Sequence, residues 1–310
     1  MSSSRIRQAA RMIVCAMALG SVGALPRTLT AQNDTSVRVS SNAVVDISLR
    51  GGRLLVRGVD GNSGTVRGDH RSYELRTTGT TMSVQPRESS DRSSERQSSS
   101  RDSDLLEVDV PRGARLVVRS LSGDVEVRDM SGSVDVRTAS GTLRFEGVSG
   151  RLNVESMTGD ISVTGRTAGL RATTVSGDLR LREMRGELEV HTTSGDVSIS
   201  GEQITRLTVE SISGNVGMDG LLDREARVRI TAHSGNVTLR LPDEAHGMME
   251  VSTFNGTINT ATPLTMLPGD VNRSRAGRNS RRYQLGNGGP MQLEISTFNG
   301  NIRLVRTPQR

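Results

Sequence analysis

The chain has 310 residues, of which 33% are hydrophobic, only 2% aromatic and none Trp. A thick core of that size draws on large aromatic side chains for buried area, so this composition favours thin layers of small aliphatics and glycine. The formal charge of +6 comes from 40 basic residues, all of them Arg, against 34 acids. Arg5, Arg7, Arg11 and Arg27 precede the first acid, so the remainder stands at 36 against 34 and lacks the basic excess of a nucleic-acid binder.

The first 31 residues have the pattern of a cleaved export signal, with Arg5, Arg7 and Arg11 ahead of a short apolar run from Met12 to Leu25. That run is too short to span a bilayer comfortably, and no later apolar segment of membrane-spanning length follows. The single cysteine, Cys15, lies in this leader, so the mature chain is expected to hold neither disulfides nor cysteine-metal sites.

From Val37 to Val84 short alternating runs such as Val44–Leu49 and Leu54–Val56 are separated by turn signals, an irregular start or cap to a more regular region. Residues 87–104 contain no apolar side chain and are expected to form a disordered loop. Gly123, Gly132, Gly141, Gly150 and Gly159 then recur at nine-residue intervals, and Gly177, Gly186 and Gly195 resume the count. Each unit reads Gly-x-Φ-x-Φ-x-x-Φ-Ser, where Φ is apolar. A short fixed period means one unit stacked many times. The alternation at the second and fourth positions after Gly predicts a half-buried strand, as in Val125/Val127 and Leu143/Phe145. The third apolar position, at Met130, Val148, Met157 and Met184, is expected to follow the strand into the interior, and Gly to turn the corner.

Charge decides whether one coil is nine residues or eighteen. Stacked rungs lie about 4.8 Å apart, and like charges directly opposite destabilise. A nine-residue rung stacks Glu126 on Asp135 and Arg128 on Arg137. An eighteen-residue rung stacks Glu126 on Arg144, Arg128 on Glu146 and Arg137 on Glu155. The fold expected is therefore all-β, a parallel β-solenoid with two short strands per 18–21-residue rung. Gly214, Gly235 and Gly256 continue it with wider spacing, as if one turn had lengthened and lost its Gly. Ser252–Gly256 and Ser296–Gly300 share the text Ser-Thr-Phe-Asn-Gly, which suggests Phe254 and Phe298 stacked inside; Gly300 is the last turn glycine, and Ile302–Leu304 would close the stack. Residues 263–290 read as a long Arg-rich loop and 306–310 as a polar tail, leaving 35–305 as a single solenoid domain. Roughly 11 to 13 rungs would make a rod about 50–60 Å long.

The repeated Ser-Gly-Asp-Val-x-Val units, the export signal, the Asn-Gly-x-Ile ending and the Gly-Asn-Gly-Gly at 286–289 resemble the bacterial adhesin-like DUF4097 (domain of unknown function) β-solenoid family over about residues 35–305. The resemblance implies an extracytoplasmic solenoid and carries over no catalytic residues.

Chemistry is sparse. Asp124, Asp160, Asp178 and Asp196 follow turn glycines, as in calcium-binding β-rolls, but one Gly per unit and one Asp per turn supply too few converging oxygens. Outward acids alternate with Arg rather than clustering as a glycan hydrolase requires. His70, His191, His233 and His246 have no metal-ligand spacing, and His233 fills the apolar slot before Gly235 as a semi-buried residue. No cofactor site is expected and the chain reads as a non-enzyme. Arg273, Arg275, Arg278, Arg281 and Arg282 are the one candidate site, a loop for an anionic envelope glycan or lipid. The function expected is an adhesin-like scaffold or binding surface of the periplasm, outer surface or secreted fraction. The alternatives are end-to-end self-association into a structural protein and, further off, a glycan-active β-helix enzyme.

Overall fold

The computed structural model describes residues 35–68, 73–78, 80–87, 105–261, 264–267 and 279–307. The expected leader, the polar segment 88–104, His70, Arg273, Arg275, Arg278 and the end of the tail from 308 lie outside the described residues. Every regular element among those described is a β-strand.

The strands stack in parallel at a step of eighteen. Val125 lies opposite Leu143, Leu143 opposite Ile161, and Ile161 opposite Leu179. In the other sheet Leu116, Val134, Leu152 and Leu170 follow one another in the same way. Because side chains alternate across a strand, the apolar positions of every rung point into one shared interior. Val125, Val127, Leu143, Phe145, Ile161 and Val163 are all buried, each contributing about 1.5–3 kcal/mol of apolar burial. The step widens between Val197 and Val216 and again between Val216 and Val237. The added residues enter at one corner, through which Leu179–Ser194, Val197–Ser213 and Val216–Ser234 run as single bent strands. That corner keeps its glycine in a shifted position: a Cβ on Gly220 would lie 2.1 Å from the carbonyl oxygen of Gly201.

The cross-rung charges that choose the register are in place. Arg128 faces Glu146 at 3.6 Å and Arg137 faces Glu155 at 3.0 Å. Arg144 stands in register with Glu126, whose carboxylate instead accepts a hydrogen bond from Arg128 along its own strand. That hydrogen bond holds the Arg128 guanidinium above its ordinary pKa. Exposed pairs of this kind contribute about 0.2–1 kcal/mol, so they select the register while burial holds the stack.

At both ends the order of rungs in space departs from their order in the chain. Met291–Asn299 lies between Val216–Ser234 and Gly247–Asn255, and Ile302–Thr307 lies between Val237–Pro242 and Ile258–Thr260. The last rung of the chain is thus slotted between two earlier ones and does not close the stack. Likewise Val44–Leu49 lies between Thr81–Pro86 and Arg115–Ser122, and Arg53–Val59 between Leu105–Pro111 and Asp124–Arg128. A solenoid rung buries its apolar face only against neighbours, and interleaving gives the terminal rungs a neighbour on each side; Val45, Ile47 and Ile295 are accordingly buried.

Beyond the interleaved rungs the sheets end in antiparallel strands. Asn279–Leu285, within the segment expected as a loop, pairs with Gly247–Asn255, and Thr265–Met266 pairs with it in turn. At the other end Tyr73–Thr78 pairs with Thr81–Pro86 and Ser63–Arg67 with Leu105–Pro111. The outer parallel edges of Gly247–Asn255, Thr81–Pro86 and Leu105–Pro111 are thereby occupied by the chain itself, one of the ways natural sheets blunt an edge.

Candidate functional site: an exposed apolar column

The two corners of each rung differ, and the difference places every glycine of the repeat. Gly123, Gly141, Gly159, Gly177, Gly195, Gly214, Gly235 and Gly300 form one corner, all at positive φ. A Cβ on Gly141 would meet the Gly123 carbonyl oxygen at 2.1 Å, so the corners stack backbone on backbone. Gly132 and Gly150 belong to the opposite corner, Gly256 to the first; none of the three has positive φ, and close approach makes the demand instead, a Cβ on Gly150 falling 2.0 Å from the Gly132 oxygen. Gly186, at φ +78°, sits where the register shifts.

The acids after the first corner form a ladder of side-chain-to-backbone hydrogen bonds. Asp160 Oδ1 accepts the N–H of Asp178 at 3.0 Å, Asp178 that of Asp196 at 3.0 Å, and Asp196 that of Asn215 at 2.8 Å. The ladder continues through Asn215, Asn236 and Asn301 to the N–H of Thr257. Among the described residues no three His, Cys, Asp or Glu side chains gather where they could hold a metal ion.

Just before that corner, Ser120, Thr138, Ser156, Thr174 and Thr192 turn inward, and each hydroxyl donates to the carbonyl two residues on, as from Thr138 to Ser140 at 2.9 Å. The residue between the two hydroxyl positions therefore points out. In register these residues are Leu121, Ala139, Met157, Val175, Thr193, Ile212, His233, Phe298 and Phe254. They form a column of largely apolar side chains on the surface. Met157 is 60% exposed, whereas Met130, Val148 and Met184 at the other corner are buried. The nine-residue reading merges these two corners, so its inward placement of Met157 is corrected here. His233 is exposed, not semi-buried. Phe254 and Phe298 do stack, with ring centroids 4.8 Å apart, but on the surface, at 45% and 43% exposure, and His233 extends the stack at 5.0 Å from Phe298. The sequence carries a signal for the column: an apolar residue between two hydroxyl residues ahead of Gly, as in Ser120-Leu121-Ser122 and Ser211-Ile212-Ser213.

Toward the C-terminal end the column walls a groove of about 550 Å³, within the size range of small-molecule sites. Thr173, Thr231, Ser252 and Ser296 line it beside the column. His191 also lines it, 2.9 Å from Glu189 and 3.1 Å from Glu210. Of the five Arg expected as an anionic-ligand site, Arg281 and Arg282 are described; they lie on the antiparallel strand Asn279–Leu285, and Arg282 pairs with Glu250 at 3.3 Å.

These features describe a two-sheet parallel solenoid carrying a surface groove along one corner. Residues 61–305 match the family model described as Toastrack DUF4097, and the chain belongs to this family. No functionally curated protein matches the sequence. Among solved structures it is similar to a "putative adhesin" from Bacteroides fragilis, at 10% identity and TM-score 0.44, covering 89% of this chain and 98% of that one. It is also similar to a "putative lipid binding protein" from Parabacteroides distasonis, at 10% identity and TM-score 0.34, with the same two coverages. A "putative cell adhesion protein" from Clostridium sporogenes is 11% identical at TM-score 0.26, covering 89% of this chain and 100% of its own. Among the described residues no helix is long and apolar enough to cross a membrane.

Proposed function

We propose that the protein is an exported, non-catalytic β-solenoid that serves the cell envelope as an adhesin-like binding surface. The observation that supports this most is the exposed apolar column. The interior is complete without it, so folding does not explain it, and contiguous apolar surface on a soluble protein marks an interaction site. The outward acids support the non-catalytic reading. Those on the corner ladder hold backbone N–H groups, and those on the sheet faces largely pair with Arg, whereas a hydrolase needs carboxyl groups converging on one bond.

The test is fractionation of the tagged full chain in a bacterial host, followed by retention of the purified protein on cell-wall, glycan and lipid arrays. Recovery outside the cytoplasm with retention on one class of envelope material is the expected outcome. Cytoplasmic recovery with retention on none would refute the proposal, as would glycan turnover abolished by substituting a carboxylate.

A further inference from the structure

The outer face of the C-terminal sheet changes character along its strands. At the corner end stand Ile212, His233, Phe298 and Phe254. Six residues back, about 20 Å away at ~3.3 Å per residue, Arg206 and Arg227 lie side by side in register on adjacent rungs, with Gln292 next to Arg227. Arg206 approaches Glu187 only at 4.0 Å, and among the described residues Arg227 has no carboxylate partner. Between these two edges each outward charged side chain has a partner. Arg229 lies 2.9 Å from Glu294, Arg282 3.3 Å from Glu250, and His191 3.1 Å from Glu210. The hydroxyls of Thr208, Thr231, Ser252 and Ser296 stand among them with no hydrogen-bond partner in the described residues, whereas the inward Thr174 and Thr192 both donate to backbone carbonyls. A second groove, of about 610 Å³, surrounds the two guanidiniums and meets the first at Glu210.

We propose that this face binds an oligosaccharide with a single terminal carboxylate, laid along the strands. The carboxylate sits on Arg206 and Arg227, the middle rings lie over the paired charges and free hydroxyls, and the last ring rests its C–H face on the apolar edge. This rests on the reading of the protein as a binding surface and names the ligand class. The span fits: about 20 Å, at ~3.3 Å per strand residue, is roughly the reach of four linked pyranose rings. The middle of the face excludes hydrocarbon, which would strip water from ion pairs and hydroxyls and return no hydrogen bond. Sugar hydroxyls both donate and accept, so they serve the Arg229–Glu294 pair and Ser296 alike. Two unpaired guanidiniums on adjacent rungs, about 4.8 Å apart, offer the forked donors that suit a carboxylate. Charge also limits the ligand to one acid at that end. A polyanion, nucleic acid included, would set further negative charge over Glu294, Glu250 and Glu210, and like charges brought together weaken a complex. A peptide adding to the sheet would need a free strand edge, and here the rungs pair on both sides.

The test exposes the full chain to an array of neutral, singly carboxylated and polyanionic oligosaccharides of two to five rings, followed by isothermal titration. Aldotetraouronic acid (three xyloses ending in one glucuronic acid), xylotetraose and tetragalacturonate represent the three classes. Arg227→Glu disrupts the anion site and Phe298→Ala the apolar edge; both positions are exposed, and cooperative melting shows that the variants are folded. Retention of singly carboxylated members is expected, with affinity reduced tenfold or more by Arg227→Glu and at least threefold by Phe298→Ala. Neutral counterparts are expected to bind at least tenfold more weakly. Free glucuronate, which reaches only the arginines, should also bind at least tenfold more weakly and be indifferent to Phe298→Ala. Retention of no singly carboxylated member, or binding indifferent to both substitutions, overturns the proposal. Equal or tighter binding of the neutral or polyanionic class also overturns it. Retention on lipid or cell-wall material with none on the oligosaccharides would remove this inference and leave the binding-surface function standing.

Discussion

Asn236 accepts the backbone N–H of Asn301 at 3.1 Å, across 65 positions of sequence, and Asn301 in turn accepts the N–H of Thr257 at 3.0 Å. The corner ladder thus records the interleaving directly: the rung that follows Asn236 in space is the last in the chain, and the rung that follows it in sequence comes after that.

Truncation should therefore not behave as trimming. Removing residues 290–310 takes out an inner rung and leaves Val228 and Met249 facing a gap. Loss of cooperative unfolding by circular dichroism is the expected result. Deleting residues 133–150 removes one whole coil and brings Leu152 to the place of Val134, so that variant is expected to melt cooperatively. A cooperative C-terminal truncation with near-parent stability would contradict the topology.

Gly141→Ala should be costly. It combines φ +119° with a Cβ 2.1 Å from a backbone oxygen, and we expect roughly 2–4 kcal/mol of destabilisation from backbone strain and forced displacement together. Gly61 has φ +116° but open space around it, so Gly61→Ala should cost only about 1–2 kcal/mol. Denaturant midpoints of the two variants check the difference, and equal losses would show that the close stacking carries nothing.

The phenylalanines should divide by corner. Phe145 is fully buried, and Phe145→Ala is expected to lose about 3–5 kcal/mol to lost burial and a cavity. Phe298→Ala removes an exposed stacked ring and should cost about 0.5–1.5 kcal/mol. Thermal melts of both variants suffice, and a Phe298 loss as large as that of Phe145 would put Phe298 in the core after all.

On the corner ladder, Asp178→Asn keeps the acceptor for the Asp196 N–H and makes the site resemble its continuation at Asn215 and Asn236. It should stay within about 0.5 kcal/mol of the parent. Asp178→Ala leaves that N–H to solvent and should cost about 0.5–1.5 kcal/mol. If urea unfolding finds both variants alike, the side-chain acceptor contributes nothing to the stack.

The coil length and register were readable in the sequence because they rest on local alternation and on charge. Val125 over Leu143 and Arg137 over Glu155 follow from neighbours eighteen residues apart. The interleaving was not readable, because the strands Gly247–Asn255 and Met291–Asn299 have closely similar inward patterns and either order satisfies them. Met157 and His233 were misplaced for a more local reason: the two corners share a spacing and differ in whether a hydroxyl residue turns inward first, as Ser156 does before Met157. The strand Asn279–Leu285 hid behind its arginines, whose positions look solvated until an antiparallel partner supplies Glu250.

Among the described residues the first and last parallel coils are each threaded between others, so a duplicated unit cannot simply be stacked on either of them. Copies of the eighteen-residue text can be accepted only in the middle, where one more layer leaves both knotted-looking ends untouched. Differences in length within this lineage should therefore map to the central repeats, with the two extremities inherited intact.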